Sequence, residues 1–331
     1  MNITIIGAGA WGTALAISLA ANHRVTLLAR DAAQVEAMRA TRRNQRYLPD
    51  IALPANLELS SDLSAAMRAV DLVIIAVPVS ALRSTLRQLG QSPRRPGVVW
   101  VCKGFEAETS LLPHQVFDEV LPEGYKCGVL SGPSFAQEVA RGLPAALTLA
   151  SGDEEFARST AQALHHAHLR IYASSDVAGV EVGGAVKNVM AIASGICDGM
   201  GLGLNARAAL LTRGLAEITR LGLKFGGRPE TLYGLSGVGD LILTCTGDLS
   251  RNRQVGLLLA QQHDLSEILQ RLGHVAEGVY TVREVHHLAQ RLGVAMPICE
   301  AVYRIIYEHV PAAEAIAGLL NRAPNQEFNG V

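Results

Sequence analysis

A single lysine in an apolar stretch is the first feature of this sequence that suggests chemistry. In VEVGGAVKNVMAIASGI, which runs from Val180 to Ile196, Lys187 and Glu181 are the only ionisable residues. The apolar residues recur at helical spacing, which predicts a largely buried helix. Burial favours the neutral amine, and such tuning lets a lysine act as a general acid or base near neutral pH. Taken alone, an ion pair or a side chain extended to solvent is the commoner explanation of such a lysine.

Further polar residues stand in the apolar second half of the chain. Asp240 lies between GVG and LIL, an unusual place for an acid without a partner, and Lys187 is its natural candidate. Ser250, Arg251 and Asn252 precede the helical pattern VGLLLAQ, which begins at Val255. Hydroxyl, guanidinium and amide groups at a helix N-terminus suit a phosphoryl group. Simple N-capping also explains Ser250 and Asn252.

The N-terminus carries a second kind of site, the glycine turn GAGAWG. Asn2 to Ile6 predicts a buried strand, and the small-residue helix TALAISLAAN follows the turn. In this context Gly7 permits the turn, Gly9 lets a pyrophosphate approach the backbone, and Gly12 packs the helix against the strand. The helix N-terminus offers N–H groups to the phosphates. Trp11 stands within the turn, where it either packs or contacts the cofactor.

The end of the second predicted strand, Val25 to Ala29, bears on the choice between NAD and NADP. NAD-specific sites usually place an acidic residue there, which bonds the ribose 2′-hydroxyl. Arg30 occupies about that place, and a guanidinium can face a 2′-phosphate and stack on adenine. The sequence therefore predicts that NADPH is accepted. Alternatively, Asp31 bonds the ribose and Arg30 points to solvent.

The elements that must position these residues fall into two parts. Strands alternate with helices up to about residue 175, which predicts an α/β domain over 1–175 with a Rossmann-like doubly wound sheet. From residue 176 to 331, helical patterns without strand alternation predict an all-α substrate-binding domain. The active site is expected in the cleft between the two.

Two local expectations concern the first domain. Lys103 follows one predicted strand and the turn Ser131 to Ser134 follows the next, both at the sheet edge where such folds bind ligands. We expect that turn to lead into a capped helix. The polar stretch RRNQRYLP, which begins at Arg42, is predicted to be a loop.

The composition narrows the classes of function. The net charge of −1 leaves no basic excess for nucleic acid or an anionic membrane, and no stretch is expected to reach the length of a membrane span. No secretory signal is recognisable at the start. Five widely spread cysteines indicate reduced thiols and a cytoplasmic protein. The adjacent histidine pairs lack metal-ligand spacing, so no metal is expected.

Several motifs together resemble the NAD(P)-dependent glycerol-3-phosphate dehydrogenases of the bacterial type. They are, in order, GAGAWGTALA, VCKGFE, SGPSFAQEVA, GGAVKNVMAIASGI, NARAALLTRGLAE, GLSGVGDLILTCT, SRNR and VAEGVYT. The resemblance extends to about Tyr307. It implies the reversible reduction of dihydroxyacetone phosphate to sn-glycerol 3-phosphate with NADP or NAD, in the supply of phospholipid precursors. It also implies a homodimer.

The resemblance also assigns roles to residues. Lys187 matches the catalytic proton donor and acceptor. The substrate-binding positions are Lys103, Gly132, Ser134, Lys187, Asn188, Asp240, Thr244, Ser250, Arg251 and Asn252. The cofactor-binding positions, besides Gly7, Gly9 and Gly12, are Ala10, Trp11, Arg30, Lys103, Ala136, Arg251, Val275 and Glu277.

Two other classes of protein stay open at this point. The nearer is another dehydrogenase with a Rossmann domain, a helical second domain and a catalytic lysine, acting on a hydroxy acid or sugar acid. A preference for phosphate-free substrates would favour it. The farther is a nicotinamide-binding sensor without catalysis. The polar set of the second domain argues against a sensor, which has no use for Lys187 with Asp240.

Overall fold

The computed structural model describes residues 1–272 and 277–321, and the chain forms two compact units. The first comprises residues 1–103 and 113–177, and the second comprises residues 104–112 and the chain from Ala178 onward. The sequence predicted two contiguous domains, 1–175 and 176–331. The structure differs at the short segment 104–112, which lies within the first predicted range but belongs to the second unit. It belongs to the second unit because Phe105 and Leu112 are part of that unit's apolar core.

The first unit contains one large β-sheet, a two-stranded sheet and the helices that connect the strands. Its strands are β1 (Asn2–Ile6), β2 (Arg24–Leu28), β3 (Arg43–Asn44), β4 (Leu48–Ala52), β5 (Glu58–Ser60), β6 (Leu72–Ile75), β7 (Gly97–Trp100), β8 (Cys127–Ser131), β9 (Ala145–Ala150) and β10 (Leu169–Ser174). Its helices are α1 (Ala10–Leu19), α2 (Ala32–Thr41), α3 (Leu63–Ala66), α4 (Val79–Gly90), α5 (Pro113–Val120), α6 (Ala136–Ala140) and α7 (Glu154–Leu164).

The main sheet has the order β10-β9-β8-β7-β6-β1-β2-β5 within the described chain. All neighbouring strands are parallel except β8 and β9, which are antiparallel. The central strand β6 is entirely apolar, and its neighbour β1 is buried from Ile3 to Ile6, because parallel strands are covered on both faces. The predicted Rossmann-like sheet is confirmed, although β5, β9 and β10 were not predicted.

The loop predicted from Arg42 is wrong over half of its length, at 43–44 and 48–49, which lie in strands. Arg42 adopts a left-handed conformation (φ 48°) that ends α2, and β3 then pairs antiparallel with β4. Two positions of this polar stretch are buried: Asn44 and Leu48. Their long-range contacts, which the local composition does not reveal, turn the stretch into a hairpin.

The second unit is helical, as predicted. Its helices are α8 (Val177–Gly199), α9 (Gly203–Lys224), α10 (Pro229–Leu232), α11 (Asp240–Thr246), α12 (Arg251–Ala260), α13 (Leu265–Leu272), α14 (Glu277–Leu292), α15 (Pro297–Tyr307) and α16 (Ala312–Leu320), with a π-helical turn at Leu235–Gly239.

Helix α8 is the central helix of this unit. Every residue from Gly179 to Cys197 is buried, which explains why the apolar run has no polar face. Among the described helices, α8 is long and apolar enough to cross a membrane, and its apolar window is entirely buried within the protein. The expectation that no stretch is long and apolar enough to span a membrane is therefore wrong. A helix in the core of a protein has the same length and composition as a membrane-spanning helix.

Candidate active site

Different structural reasons explain the three glycines of the N-terminal turn. Gly7 has a φ of +114°, and a Cβ there would lie 2.5 Å from the Ala76 carbonyl oxygen. A Cβ on Gly12 would lie 2.0 Å from the carbonyl oxygen of Gly7. Gly9, with a φ of −75°, would accept a Cβ with no atom within 4 Å. The fold therefore requires glycine at the first and third positions, but not at the second.

The open space at Gly9 fits a bound dinucleotide. Gly9 is the N-cap of α1, and no side chain caps that helix. The missing side chain and the helix N-terminus together leave room and donors for a pyrophosphate. Ala10 and Trp11, the first helical residues, are partly buried and pack against apolar clusters of the first unit. Packing thus explains the buried part of the Trp11 side chain.

Two residues that sequence reasoning missed hold the glycine turn in place. The Ala8 carbonyl accepts hydrogen bonds from Gln34 Nε2 (3.2 Å) and Asn44 Nδ2 (3.0 Å). Asn44 Nδ2 also donates to the hydroxyl of Thr13 (2.8 Å). These partners lie 26 to 36 residues apart, so no local pattern could have indicated them.

Arg30 and Asp31 follow β2 on the surface of the first unit. The Asp31 carboxylate accepts from the Ala33 backbone N–H (2.9 Å) and so caps α2. Arg30 is exposed, and within the described residues its guanidinium forms no hydrogen bond or ion pair. Asp31 thus has a structural role that explains its presence, whereas Arg30 has none.

Gly132 connects two of the predicted substrate positions at the ends of β7 and β8. Its carbonyl oxygen accepts from Lys103 Nζ (3.4 Å) and from the Ser134 hydroxyl (3.1 Å). With φ at +139°, Gly132 has a conformation that favours glycine. The predicted side-chain cap after this turn is wrong, because Phe135 is the N-cap of α6 and the Ser134 hydroxyl bonds within the turn instead. Ala136, the first residue of α6, is partly buried.

The predicted partnership of Lys187 with Asp240 is present in the second unit. Lys187 Nζ donates to Asp240 Oδ1 and to Thr244 Oγ1, the latter over 2.9 Å. The Thr244 hydroxyl gives its own proton to the Asp240 carbonyl (2.6 Å), so its oxygen accepts from the amine. Lys187 is 6 % exposed and Asp240 is 1 % exposed. The ion pair accounts for the buried lysine, and it also holds the amine in one direction.

Asn188 lies next to the lysine in the sequence of α8. It is 6 % exposed, and within the described residues its side chain has no hydrogen-bond partner. The amide is therefore available to bond a ligand. The hydroxyl of Ser236, in the π-helical turn ahead of Asp240, is buried and has no hydrogen-bond partner in the part of the chain that the structure describes. Sequence reasoning did not single out Ser236, although π-helical turns often occur at functional sites.

The three residues before α12 have separate roles. Ser250 is the N-cap, and its hydroxyl accepts from the Arg253 backbone N–H (3.3 Å), so capping explains this residue. Arg251 is exposed, and no contact of its guanidinium is found in the described parts of the chain. Asn252 does not cap α12; its Oδ1 instead accepts from the backbone N–H of Gly278 (3.2 Å).

An ion pair that was not predicted ties α12 to the end of α8. The Arg253 guanidinium donates twice to Asp198 Oδ2, over 3.0 Å from Nε and 2.8 Å from Nη2. It also donates to Asp248 (3.0 Å). Because α8 carries Lys187, this pair links the helix of the lysine to the helix that begins at Arg251.

The remaining predicted positions are at the start of α14. Glu277 is its first residue and is partly buried. Val275 lies outside the described residues. In residues 1–272 and 277–321, no three His, Cys, Asp or Glu side chains are grouped as metal ligands.

A glycine turn open at Gly9 and a helical unit with a buried lysine–aspartate pair define the class of two-domain nicotinamide-dependent dehydrogenases. Within this class, the model of the NAD-dependent glycerol-3-phosphate dehydrogenase N-terminus matches residues 2–157, and that of the C-terminus matches residues 176–317. The chain therefore belongs to the NAD-dependent glycerol-3-phosphate dehydrogenase family.

Individual relatives are similar to this chain over almost its whole length. A glycerol-3-phosphate dehydrogenase [NAD(P)+] of Thiobacillus denitrificans is 60% identical over 328 residues, 99% of this chain and 100% of the relative. The solved glycerol-3-phosphate dehydrogenase of Coxiella burnetii is 42% identical with a TM-score of 0.92, over 97% of this chain and 98% of that one. A solved D-mandelate dehydrogenase is 16% identical with a TM-score of 0.62, a likeness of fold alone.

Proposed function

We propose that this chain catalyses the reversible NAD(P)H-dependent reduction of dihydroxyacetone phosphate to sn-glycerol 3-phosphate. The observation that carries the proposal is the buried amine of Lys187, held by Asp240 and Thr244. The family membership and the 60% identity to an enzyme named for this activity support the choice of substrate. The nicotinamide, when bound, supplies or accepts the hydride.

Lys187 is the proposed proton donor and acceptor. During reduction, negative charge develops on the carbonyl oxygen of the substrate, and the ammonium stabilises this charge and delivers a proton. In the oxidative direction the neutral amine removes the proton from the hydroxyl. Asp240 and Thr244 keep the amine in position, so that it does not have to be ordered when the substrate binds.

The substrate phosphate is proposed to bind at the start of α12. Arg251 offers a guanidinium that is exposed to solvent, and guanidinium groups form strong paired bonds with phosphate oxygens. The amide of Asn252 and the hydroxyl of Ser250 add neutral donors, whereas Asn188 lies beside Lys187 and is proposed to orient the substrate there. A phosphate anchored away from the carbonyl holds the reacting carbon in place.

The first unit is proposed to bind the dinucleotide. Gly9 and the backbone N–H groups at the start of α1 would hold the pyrophosphate, and Arg30 would accommodate the 2′-phosphate of NADP. Lys103 contributes positive charge near the ketone, next to Gly132 and Ser134. The further contacts carried over from the family are Ala10, Trp11, Ala136, Arg251, Val275 and Glu277.

Three features of the setting are part of the same proposal. The enzyme acts in the cytoplasm, it supplies the backbone precursor of phospholipids, and it assembles as a homodimer. The five widely spread cysteines support the location, and the resemblance to the family implies the other two.

The decisive experiment follows nicotinamide absorbance with dihydroxyacetone phosphate, with NADPH and NADH in parallel reactions. Rapid oxidation of either cofactor is expected, and unphosphorylated dihydroxyacetone should be a much poorer substrate because it lacks the anchored group. Protein that binds cofactor but oxidises none with dihydroxyacetone phosphate contradicts the proposal. Turnover with 2-oxo acids instead would identify a hydroxy-acid dehydrogenase.

A further inference from the structure

We propose that Gly278, the second residue of α14, is a positioning residue that orients the Asn252 amide so that its NH₂ group serves the substrate phosphate. The inference rests on the proposed function, since it assumes that Asn252 contacts the phosphate. It extends that function by naming the group that sets the direction of the amide.

The orientation follows from the hydrogen bond that Asn252 accepts. A backbone N–H can only donate, and Gly278 N lies 3.2 Å from Asn252 Oδ1. If the amide were rotated by 180°, its NH₂ group would face the N–H of Gly278, and two donors would oppose each other. This bond would be lost, at a cost of about 1–3 kcal/mol for the unsatisfied groups. Nδ2 therefore faces away from α14, and no bond of Nδ2 is found within the described residues. It remains a donor for an anion.

The absence of a side chain at Gly278 is the second observation. A Cβ there would lie 2.5 Å from Oδ1 and 2.9 Å from Cγ of Asn252, and 3.1 Å from the carbonyl oxygen of Asn188. Contacts below 3.0 Å force a displacement, and both neighbours are at substrate positions. Alanine would thus push Asn252 out of place, with a smaller effect on the backbone at Asn188.

Helix α14 itself gives no reason for a glycine at this position. Gly278 has no left-handed backbone conformation, and alanine is favoured over glycine by about 1 kcal/mol within helices. Glycine at the second position of a 16-residue helix is therefore explained by the contact with Asn252. The N-terminus of α14 also polarises the amide whose oxygen it binds, which makes Nδ2 a stronger donor.

The primary test is Gly278→Ala, with Gly318→Ala in α16 as the matched control. A Cβ on Gly318 meets no atom within 4 Å, so the control should behave as wild type. For Gly278→Ala we expect the KM for dihydroxyacetone phosphate to rise about tenfold or more, because a displaced charge-assisted bond costs at least about 1.4 kcal/mol. The KM for NADPH should change less than about twofold. Urea unfolding shows whether both variants are folded.

A double-mutant cycle separates positioning from general disturbance. Asn252→Ala removes Oδ1 and the amide group, the atoms that the new Cβ would approach within 3.0 Å, so adding Gly278→Ala to it should raise the KM by less than about twofold. Asn252→Asp keeps an acceptor for Gly278 but loses the donor, and its KM should rise at least as much as that of Asn252→Ala. Multiplicative effects in the double mutant, or a normal KM in Asn252→Asp, overturn the inference.

The two proposals fail in different ways. Wild-type protein that reduces dihydroxyacetone phosphate, together with an unchanged KM in folded Gly278→Ala, overturns the positioning role alone. Wild-type protein without this activity overturns the proposed function and the inference with it.

Discussion

The buried pair of Lys187 and Asp240 affects the stability of the fold as well as the proposed chemistry. Both ions are removed from water, and such a pair offsets its desolvation only when geometry and further hydrogen bonds are favourable. Thr244 supplies one such bond to the amine. Removing either charge leaves the other uncompensated, so variants of this pair must be checked for folding as well as for activity.

The role of Lys187 is tested by two substitutions. Lys187→Ala should lower kcat by roughly 10²- to 10⁴-fold, the usual contribution of a general acid or base, while NADPH still binds. Lys187→Arg keeps a positive charge beside Asp240 but cannot release its proton, so it should be folded and nearly inactive. Steady-state turnover and NADPH fluorescence titration measure both effects. Near-normal turnover in the folded arginine variant would refute the proton-transfer role, and exposed Lys224→Ala serves as control.

Cofactor choice is tested at Arg30. Arg30→Asp places a carboxylate where the 2′-phosphate of NADP is expected, so the preference for NADPH over NADH should fall by at least tenfold, which corresponds to about 1.4 kcal/mol. The ratio of kcat/KM for the two cofactors is the measurement. Arg24→Asp, an exposed arginine at the other end of β2, should leave the ratio unchanged. An unchanged ratio in Arg30→Asp would mean that another residue distinguishes the 2′-phosphate of NADP from the 2′-hydroxyl of NAD.

At the scale of elements, a buried carboxyl group from α9 accepts hydrogen bonds at the start of α15. Glu217 is 1 % exposed and accepts from the backbone N–H groups of Ile298 (2.7 Å) and Cys299 (3.2 Å) in the first turn of α15. Burial raises the pKa of Glu217 from 4.5 to about 7, although both hydrogen bonds favour the ionised form. The carboxyl therefore holds its proton in the folded chain at pH values where the unfolded chain has lost it.

This shift makes stability depend on pH. The contribution of Glu217 is fully present below about pH 4.5 and is lost as the pH rises through about 7, by at most about 1.4 kcal/mol per pH unit. In Glu217→Gln this slope should disappear, whatever the absolute stability of the variant. Urea unfolding at about pH 5 and about pH 7 compares the slopes. Exposed Glu300→Gln in α15 should keep the wild-type slope, and an equal slope in Glu217→Gln would contradict the assignment.

At the scale of the whole molecule, cofactor binding should stabilise the folded chain through the glycine turn. At a hundredfold excess over its Kd, NADPH should add about 2.7 kcal/mol to the free energy of unfolding. Gly9→Ala adds a Cβ that the fold accommodates but that enters the space assigned to the pyrophosphate. The variant should unfold like wild type without NADPH and lose at least about 1.4 kcal/mol of the NADPH effect.

Gly152→Ala is the matched control for this measurement, since a Cβ there also meets no atom within 4 Å. It should keep the full stabilisation by NADPH. If Gly9→Ala is stabilised as strongly as wild type, the pyrophosphate does not lie over Gly9.

Local patterns in the sequence determined the two-part architecture. The strand, the glycine turn and the helix at the N-terminus are short-range features, and so is the uninterrupted apolar run of α8, because periodicity and turn chemistry act within a few residues. Lys187 and Asp240 could be matched for a similar reason, since each is a charge in an apolar setting that calls for a partner. Both predictions are confirmed by the structure.

Only the tertiary structure decided the contacts that hold the site in shape. The bond from Asn44 to the Ala8 carbonyl and the bond from Gly278 to Asn252 join residues 36 and 26 positions apart. Segment 104–112 likewise joins the second unit through its own apolar contacts. Each of these depends on which distant backbone group a side chain meets after folding. Neither composition nor periodicity carries that information, because both describe only the near neighbours of a residue along the chain.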